Sequence, residues 1–253
     1  MLGLYHKLAS PKHFYAMSNG WVFPLAFLTS LLFFIGIVGA LLIAPADYQQ
    51  GEIFRIIYVH VPSAILAQSA YMLIASCGFV VLIWRIKMAA IVARSTLLLG
   101  ACFAFLTLVT GAIWGKPTWG TYWLWGDARL MSSLFLLFLY LGMIALRESF
   151  QNEQAGIRAS SFLALIGVVN IPVLKYSVYW WNSLHQPATL KLTEKPAIQF
   201  EMLWPLLAMI AAFYSFFILM VILRSRNEIL HNERRSQWVR ALVANESVNV
   251  GSQ

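Results

Sequence analysis

Residues 21–43 read WVFPLAFLTSLLFFIGIVGALLI, with no charged side chain among them. A helix needs about 20 apolar residues to cross a hydrocarbon core, so this stretch is long enough to span a bilayer. Five more apolar stretches follow, at 61–84, 91–113, 130–146, 160–180 and 203–223. The fourth is the shortest. The first runs past the usual length of a signal's apolar region, so it reads as a retained span. Composition agrees: hydrophobic residues make up 60% of the 253 and charged ones only 11%, against about 25% charged in a soluble domain. The expected fold is an all-α integral membrane protein, a bundle of six transmembrane helices.

An even number of spans puts both termini on one side. That side collects Lys7, Lys12, Arg85, Lys87, Arg94, Arg147, Arg158, Arg224, Arg226, Arg234, Arg235 and Arg240. The other has Arg55, Lys116, Arg129, Lys191 and Lys195. The positive-inside rule then places both termini in the cytoplasm. The net charge of +8 is thus an orientation signal and not a nucleic-acid footprint, and no nucleic-acid partner is expected. Residues 1–226 form one membrane domain. Residues 227–253 form a polar cytoplasmic tail in which 228–243 suit a helix and the final Asn-Val-Gly-Ser-Gln suits disorder. Cys77 and Cys102 both fall inside spans and there is no C-x-x-C, which excludes a disulfide framework. No P-loop, zinc pattern, Ser-His-Asp arrangement or internal repeat stands out. The chain reads as a binding and transfer protein, not an enzyme.

The outer connections are the unusual ones. The second, 114–129, reads Trp114-Gly115-Lys116-Pro117-Thr118-Trp119-Gly120-Thr121-Tyr122-Trp123-Leu124-Trp125-Gly126-Asp127-Ala128-Arg129. An interfacial aromatic belt accounts for one or two tryptophans at a span end. It does not account for a Trp-Gly pair that recurs five residues on. Glycine beside tryptophan leaves bare backbone for a flat ligand to approach, and a row of indoles offers a stacking platform.

Of five histidines, His6, His13 and His231 lie in polar cytoplasmic segments. His60 stands just before Pro62 at the outer start of the second span. His185 follows Tyr179-Trp180-Trp181 at the outer end of the fifth, in a polar connection holding Pro187 and Pro196. Both share a face with the tryptophans. A haem iron takes one axial ligand on each side of the porphyrin, and neutral imidazole suits both positions. Arg55 and Arg129 are candidates to grip haem propionates through paired hydrogen bonds, or else are ordinary interfacial arginines. Asp127 also stands where an aspartate caps a helix N-terminus. Lys175 falls within the fifth span, with no specific partner apparent.

The run Trp114 to Arg129, the Tyr-Val-His60-Val-Pro segment and His185 after the fifth span resemble the WWD-type haem-handling proteins. Within them the whole chain is similar to the haem exporter protein C (CcmC) family of cytochrome c maturation. The resemblance implies haem b held at the periplasmic face of the bacterial inner membrane by His60 and His185, the bis-histidine ligands. Trp114, Trp119, Trp123 and Trp125 would hold the porphyrin edge. It implies presentation of the haem to a membrane-tethered chaperone, maturation protein E, which takes it up covalently on a histidine. The ATP-binding cassette proteins A and B and a small single-span protein D complete the expected partners. One departure is that Gly126 separates Trp125 from Asp127, where the family pattern joins Trp directly to Asp. Two alternatives remain: a transporter that carries haem through the bundle, and a membrane b-type electron-transfer cytochrome, which usually places its histidines within helices at membrane depth.

Overall fold

The computed structural model describes residues 9–181, 183, 185 and 198–250, the last six by backbone alone. Helix α1, Pro11–Val38, ends in a π-helical turn, Gly39–Ile43. A 3-10 turn, Glu52–Ile56, leads straight into α2, Ile57–Trp84. Then come α3, Lys87–Trp119, and α4, Ala128–Ser149. The fifth span is broken: α5, Glu153–Ile166, passes through a 3-10 turn, Gly167–Val169, into α6, Asn170–Trp180. Helix α7, Phe200–Asn232, completes the bundle, and α8, Gln237–Val250, follows a turn. Among the described residues there is no strand, only a single β-bridge between Asp47 and Gly51.

Six helices are long and apolar enough to cross a membrane, as the sequence indicates. They are longer than their apolar runs. Four of them have 33 residues, about 50 Å at ~1.5 Å per residue, against a hydrocarbon core of about 30 Å. Helical hydrogen bonding therefore continues into the headgroup zone, where Trp, Tyr and Lys are at home. Three sequence expectations change as a result. Residues 52–60 are helical and not loop. Trp114 to Trp119 form the last turns of α3, leaving only 120–127 irregular. Helix α7 crosses residue 226 without a break, and α8 takes in Asn249 and Val250, two of the residues expected to be disordered. His6, Pro187, Pro196, Lys191 and Lys195 lie outside the described residues.

The outward faces are apolar. Phe23, Phe27, Leu42, Phe138, Ile166 and Val169 are all exposed, a surface that suits lipid and not water. Inside, α2 packs chiefly on α3 and α5, α1 on α7, and α4 on α3, α5 and α6. Several buried polar groups pair between helices, as a lipid setting favours. Tyr140 donates to the Ala67 carbonyl at 2.6 Å, Asn170 to the Ser132 carbonyl at 3.0 Å, and Tyr58 to the Met202 carbonyl at 3.2 Å. At one end, Arg226 of α7 donates to the Tyr15 carbonyl of α1 at 2.7 Å, and Tyr15 packs against Trp238 of α8. Helices α1, α7 and α8 thus meet at one end of the bundle. The tryptophans and His60 and His185 lie at the other.

Candidate paired-histidine site

His60 is the fourth residue of α2, so it belongs to a helix and not, as the sequence suggested, to the end of a loop. It faces a stripe of α3 made by Thr107, Thr110, Gly111 and Trp114, spaced three and four apart along one helical face. Thr110 Oγ1 is 2.9 Å from His60 Nδ1, and the Trp114 ring meets the imidazole edge-on with centroids 5.7 Å apart. A Cβ on Gly111 would stand 3.1 Å from His60 Cε1, so the glycine makes room for the ring. Trp114 is fixed in turn by its indole N–H, which donates to Gln50 Oε1 at 2.7 Å.

These contacts settle the tautomer. The Thr110 hydroxyl gives its one proton to the Leu106 carbonyl, 2.7 Å away, so toward His60 it can only accept. His60 Nδ1 therefore carries the ring proton, and the Nε2 lone pair remains for a ligand.

His185 lies past the end of α6 and is held from below by the start of α4. Asp127 caps that helix: its Oδ1 accepts from the backbone N–H of Arg129 at 3.0 Å and Leu130 at 2.9 Å. Its Oδ2 accepts the Ser183 hydroxyl at 2.7 Å. Ser183 Oγ then accepts the His185 backbone N–H at 3.1 Å. His185 Nδ1 is 3.4 Å from Ser183 Oγ and 3.5 Å from Asp127 Oδ1. Both neighbours are acceptors, so here too the proton sits on Nδ1 and Nε2 is left open. At this range the carboxylate acts mainly as a charge. Burial, reinforced by the Arg129 cation and opposed by Asp127, pushes the His185 pKa down from 6.5 to about 4, so the ring is neutral at physiological pH. Trp119 covers it edge-on at 4.7 Å.

His60, His185 and Arg129 line one cleft between α2, α3 and α4, floored by Leu136 and Leu174. Among the described residues the Arg129 guanidinium has no hydrogen-bond partner. No cluster of three or more His, Cys, Asp or Glu side chains occurs among the described residues, but a haem iron asks for only two protein ligands, because the porphyrin supplies the other four. The donor set therefore suits haem. The spacing is tight: the cleft holds about 40 Å³ of free space, room for a few waters at about 10–15 Å³ each and not for a porphyrin. The cleft must widen before a porphyrin can enter it.

The four tryptophans divide. Trp114 and Trp119 buttress the histidines. Trp123 and Trp125 meet edge-on at 5.7 Å, with Trp125 exposed. Trp123 Nε1 is buried with no partner among the described residues, a donor still to be used. The glycines of the Trp-Gly pairs also have structural roles. Gly115 packs against the Trp119 ring, and Gly120, at φ 79°, ends α3 as a left-handed cap whose N–H returns to the Lys116 carbonyl. Arg55 is not brought to the cleft: it pairs with Glu52 and donates to the carbonyls of Ala40 and Ala44. Lys175 is exposed, its ammonium over the Tyr176 ring. Thr110, Ser183 and Gln50 were missed in the sequence. Only Thr110 carried a signal there, standing one helical turn before Trp114.

The class defined so far is a polytopic, six-span membrane protein whose candidate site lies where one end of the bundle meets its connecting segments. Similarity to known proteins narrows this. Residues 4–240 match the family described as Heme exporter protein C, and the chain belongs to that family. It is 46% identical over 238 residues to a Heme exporter protein C of Haemophilus influenzae, covering 94% of this chain and 96% of the relative. It is 43% identical over 243 residues to that of Escherichia coli K12, with the same coverage. A putative cytochrome c biosynthesis ccmC-like mitochondrial protein of Marchantia polymorpha is 42% identical over 213 residues, 83% of this chain and 88% of the relative.

Proposed function

We propose that this chain binds haem b at the periplasmic face of the bacterial inner membrane, with His60 and His185 as axial ligands, and presents it to a haem chaperone, maturation protein E, during c-type cytochrome biogenesis. The observation that carries this is the pair of imidazoles on one cleft, each with Nδ1 beside an acceptor and, among the described residues, no hydrogen bond to Nε2. The family and the names of the relatives support a haem-handling component of cytochrome c biogenesis and indicate no catalytic activity. The charge bias supports the orientation.

In this reading haem is cargo. Thr110 and the Ser183–Asp127 pair orient the two rings, and Arg129 receives a propionate. Arg55 would have to exchange its present partners to join it. Trp123 and Trp125, with an unused indole N–H between them, flank the outward edge of the macrocycle. The narrow cleft widens to admit the haem and closes after release. The name exporter protein C fits an assembly with the ATP-binding cassette proteins A and B and the small membrane protein D.

The test is the absorption spectrum of the detergent-purified protein. The wild type should carry haem with a low-spin, two-histidine spectrum. His60→Ala and His185→Ala should each lose that signature and most of the haem. Unchanged spectra in both variants would remove the ligand assignment.

A further inference from the structure

A second cleft lies at the opposite end of the bundle, where α1, α7 and α8 meet. It is formed by the start of α3 and the end of α7 and lined by Arg94, Ser95, Arg224, Asn227, Glu228 and His231. Its free space is about 270 Å³, several times that beside the histidines.

The charges here do not cancel. Arg94 is spent: it donates to Glu228 Oε1 at 2.9 Å and to Glu148 Oε1 at 3.5 Å. Glu228 is likewise occupied, since the same oxygen also accepts from Asn232 at 3.1 Å. Arg224 uses only its Nε, on the Ser95 carbonyl at 3.0 Å, and among the described residues no carboxylate pairs with it. Ser95 is only 2% exposed, and its hydroxyl has no hydrogen-bond partner. One guanidinium group and a buried hydroxyl are thus left with unused donors around one opening. Native proteins rarely leave buried donors unmet. A single anion with several acceptor oxygens would answer both, and phosphate matches the guanidinium fork. The long helices carry this cleft out of the hydrocarbon zone to the depth of lipid phosphates. Basic pockets between helices at the cytoplasmic surface are a known setting for anionic headgroups.

We propose that this cleft binds a phosphate group, either the phosphodiester of an anionic lipid headgroup in the adjoining leaflet or a free phosphate ester, gripped by Arg224 with Ser95 Oγ as a further donor. Only the assignment of the cleft to the cytoplasmic leaflet rests on the proposed orientation. The chemistry of the site is independent of the haem reading.

The full-length protein in detergent is the sample, and thermal unfolding with native mass spectrometry gives the readouts. Phosphatidylglycerol should raise the Tm and remain bound where phosphatidylcholine does not. Arg224→Gln should bind it roughly tenfold more weakly, the effect of one lost charge-assisted hydrogen bond, with the haem spectrum unchanged. If inorganic phosphate gives the same protection and competes with the lipid, the natural ligand is a free phosphate ester. If the lipid alone protects, it is the headgroup. Should Arg224→Gln not fold, Arg224→Lys and Ser95→Ala carry the same comparison. Equal responses to phosphatidylglycerol, phosphatidylcholine and phosphate would overturn the proposal, as would undiminished lipid binding in the folded variants.

Discussion

Asp127 serves the backbone and the site at once, and its two duties separate by mutation. As a cap, it needs only an acceptor oxygen, which Asn supplies as well as Asp. As a support for His185, it needs its charge and its hold on Ser183. Asp127→Asn should therefore leave the Tm of the haem-free protein nearly unchanged while weakening haem binding by roughly 10–100-fold, the usual cost of altering a group behind a metal ligand. Asp127→Ala should lose the cap as well, about 1 kcal/mol of stability. Thermal melts and haem titrations of the two variants check this, and equal melts would sink the capping role. The capping half was legible in the sequence. The link to Ser183 was not, because it joins segments 56 residues apart. Gly126, the inserted residue, stands in open space with nothing within 4 Å of where a Cβ would be, so it spaces Asp127 from the indoles without packing on either. A second expectation concerns His185. An unfolded imidazole takes its proton near 6.5 and this buried one only at about 4. The unfolded state therefore binds the proton first, and the haem-free protein should lose stability as pH falls through that window. Titration of the His185 ring by nitrogen NMR gives the midpoint directly. A value above 6 would mean that the ring is open to water.

At the scale of the helix, the existence of each span was written in its apolar run, but its ends were not. Hydropathy marks where lipid begins, whereas a helix stops where its hydrogen bonds are capped. Gly120 and Asp127 provide those stops around the tryptophans, which is why Trp114 and Trp119 proved helical. The break in the fifth span was equally hidden, because residues 167–169 are as apolar as their neighbours. Close contacts between helices are legible only once partners are known. Gly100 of α3 is the clearest case. A Cβ there would fall 2.2 Å from Tyr140 Cε1, and Tyr140 is fully buried and tied to the Ala67 carbonyl. It has nowhere to retreat. Gly100→Ala should cost about 1–3 kcal/mol, the usual penalty of overpacking a core, seen as a lowered Tm. An unchanged melt would show that α3 and α4 are less closely packed than described.

For the whole molecule, one helix joins two chemically distinct ends. Helix α3 carries Arg94 and Ser95 at its start and Thr110, Gly111 and Trp114 near its finish, about 24 Å apart at ~1.5 Å per residue. Which end faces outward decides whether haem can meet a periplasmic chaperone at all, and the fold alone has no polarity with respect to a membrane. The orientation rests on twelve basic residues against five, a bias that removal of a single charge leaves intact. It is tested by replacing Cys77 and Cys102 with serine and introducing Tyr122→Cys or Arg235→Cys, both at exposed positions. A membrane-impermeant maleimide added to intact spheroplasts should label position 122 and should reach position 235 only after permeabilisation. The reverse pattern would place His60 and His185 in the cytoplasm. Haem binding by the two imidazoles would survive that result, since it depends on local geometry. Delivery to a periplasmic partner would not, because nothing in the bundle would then bring the loaded site to the side where the partner waits.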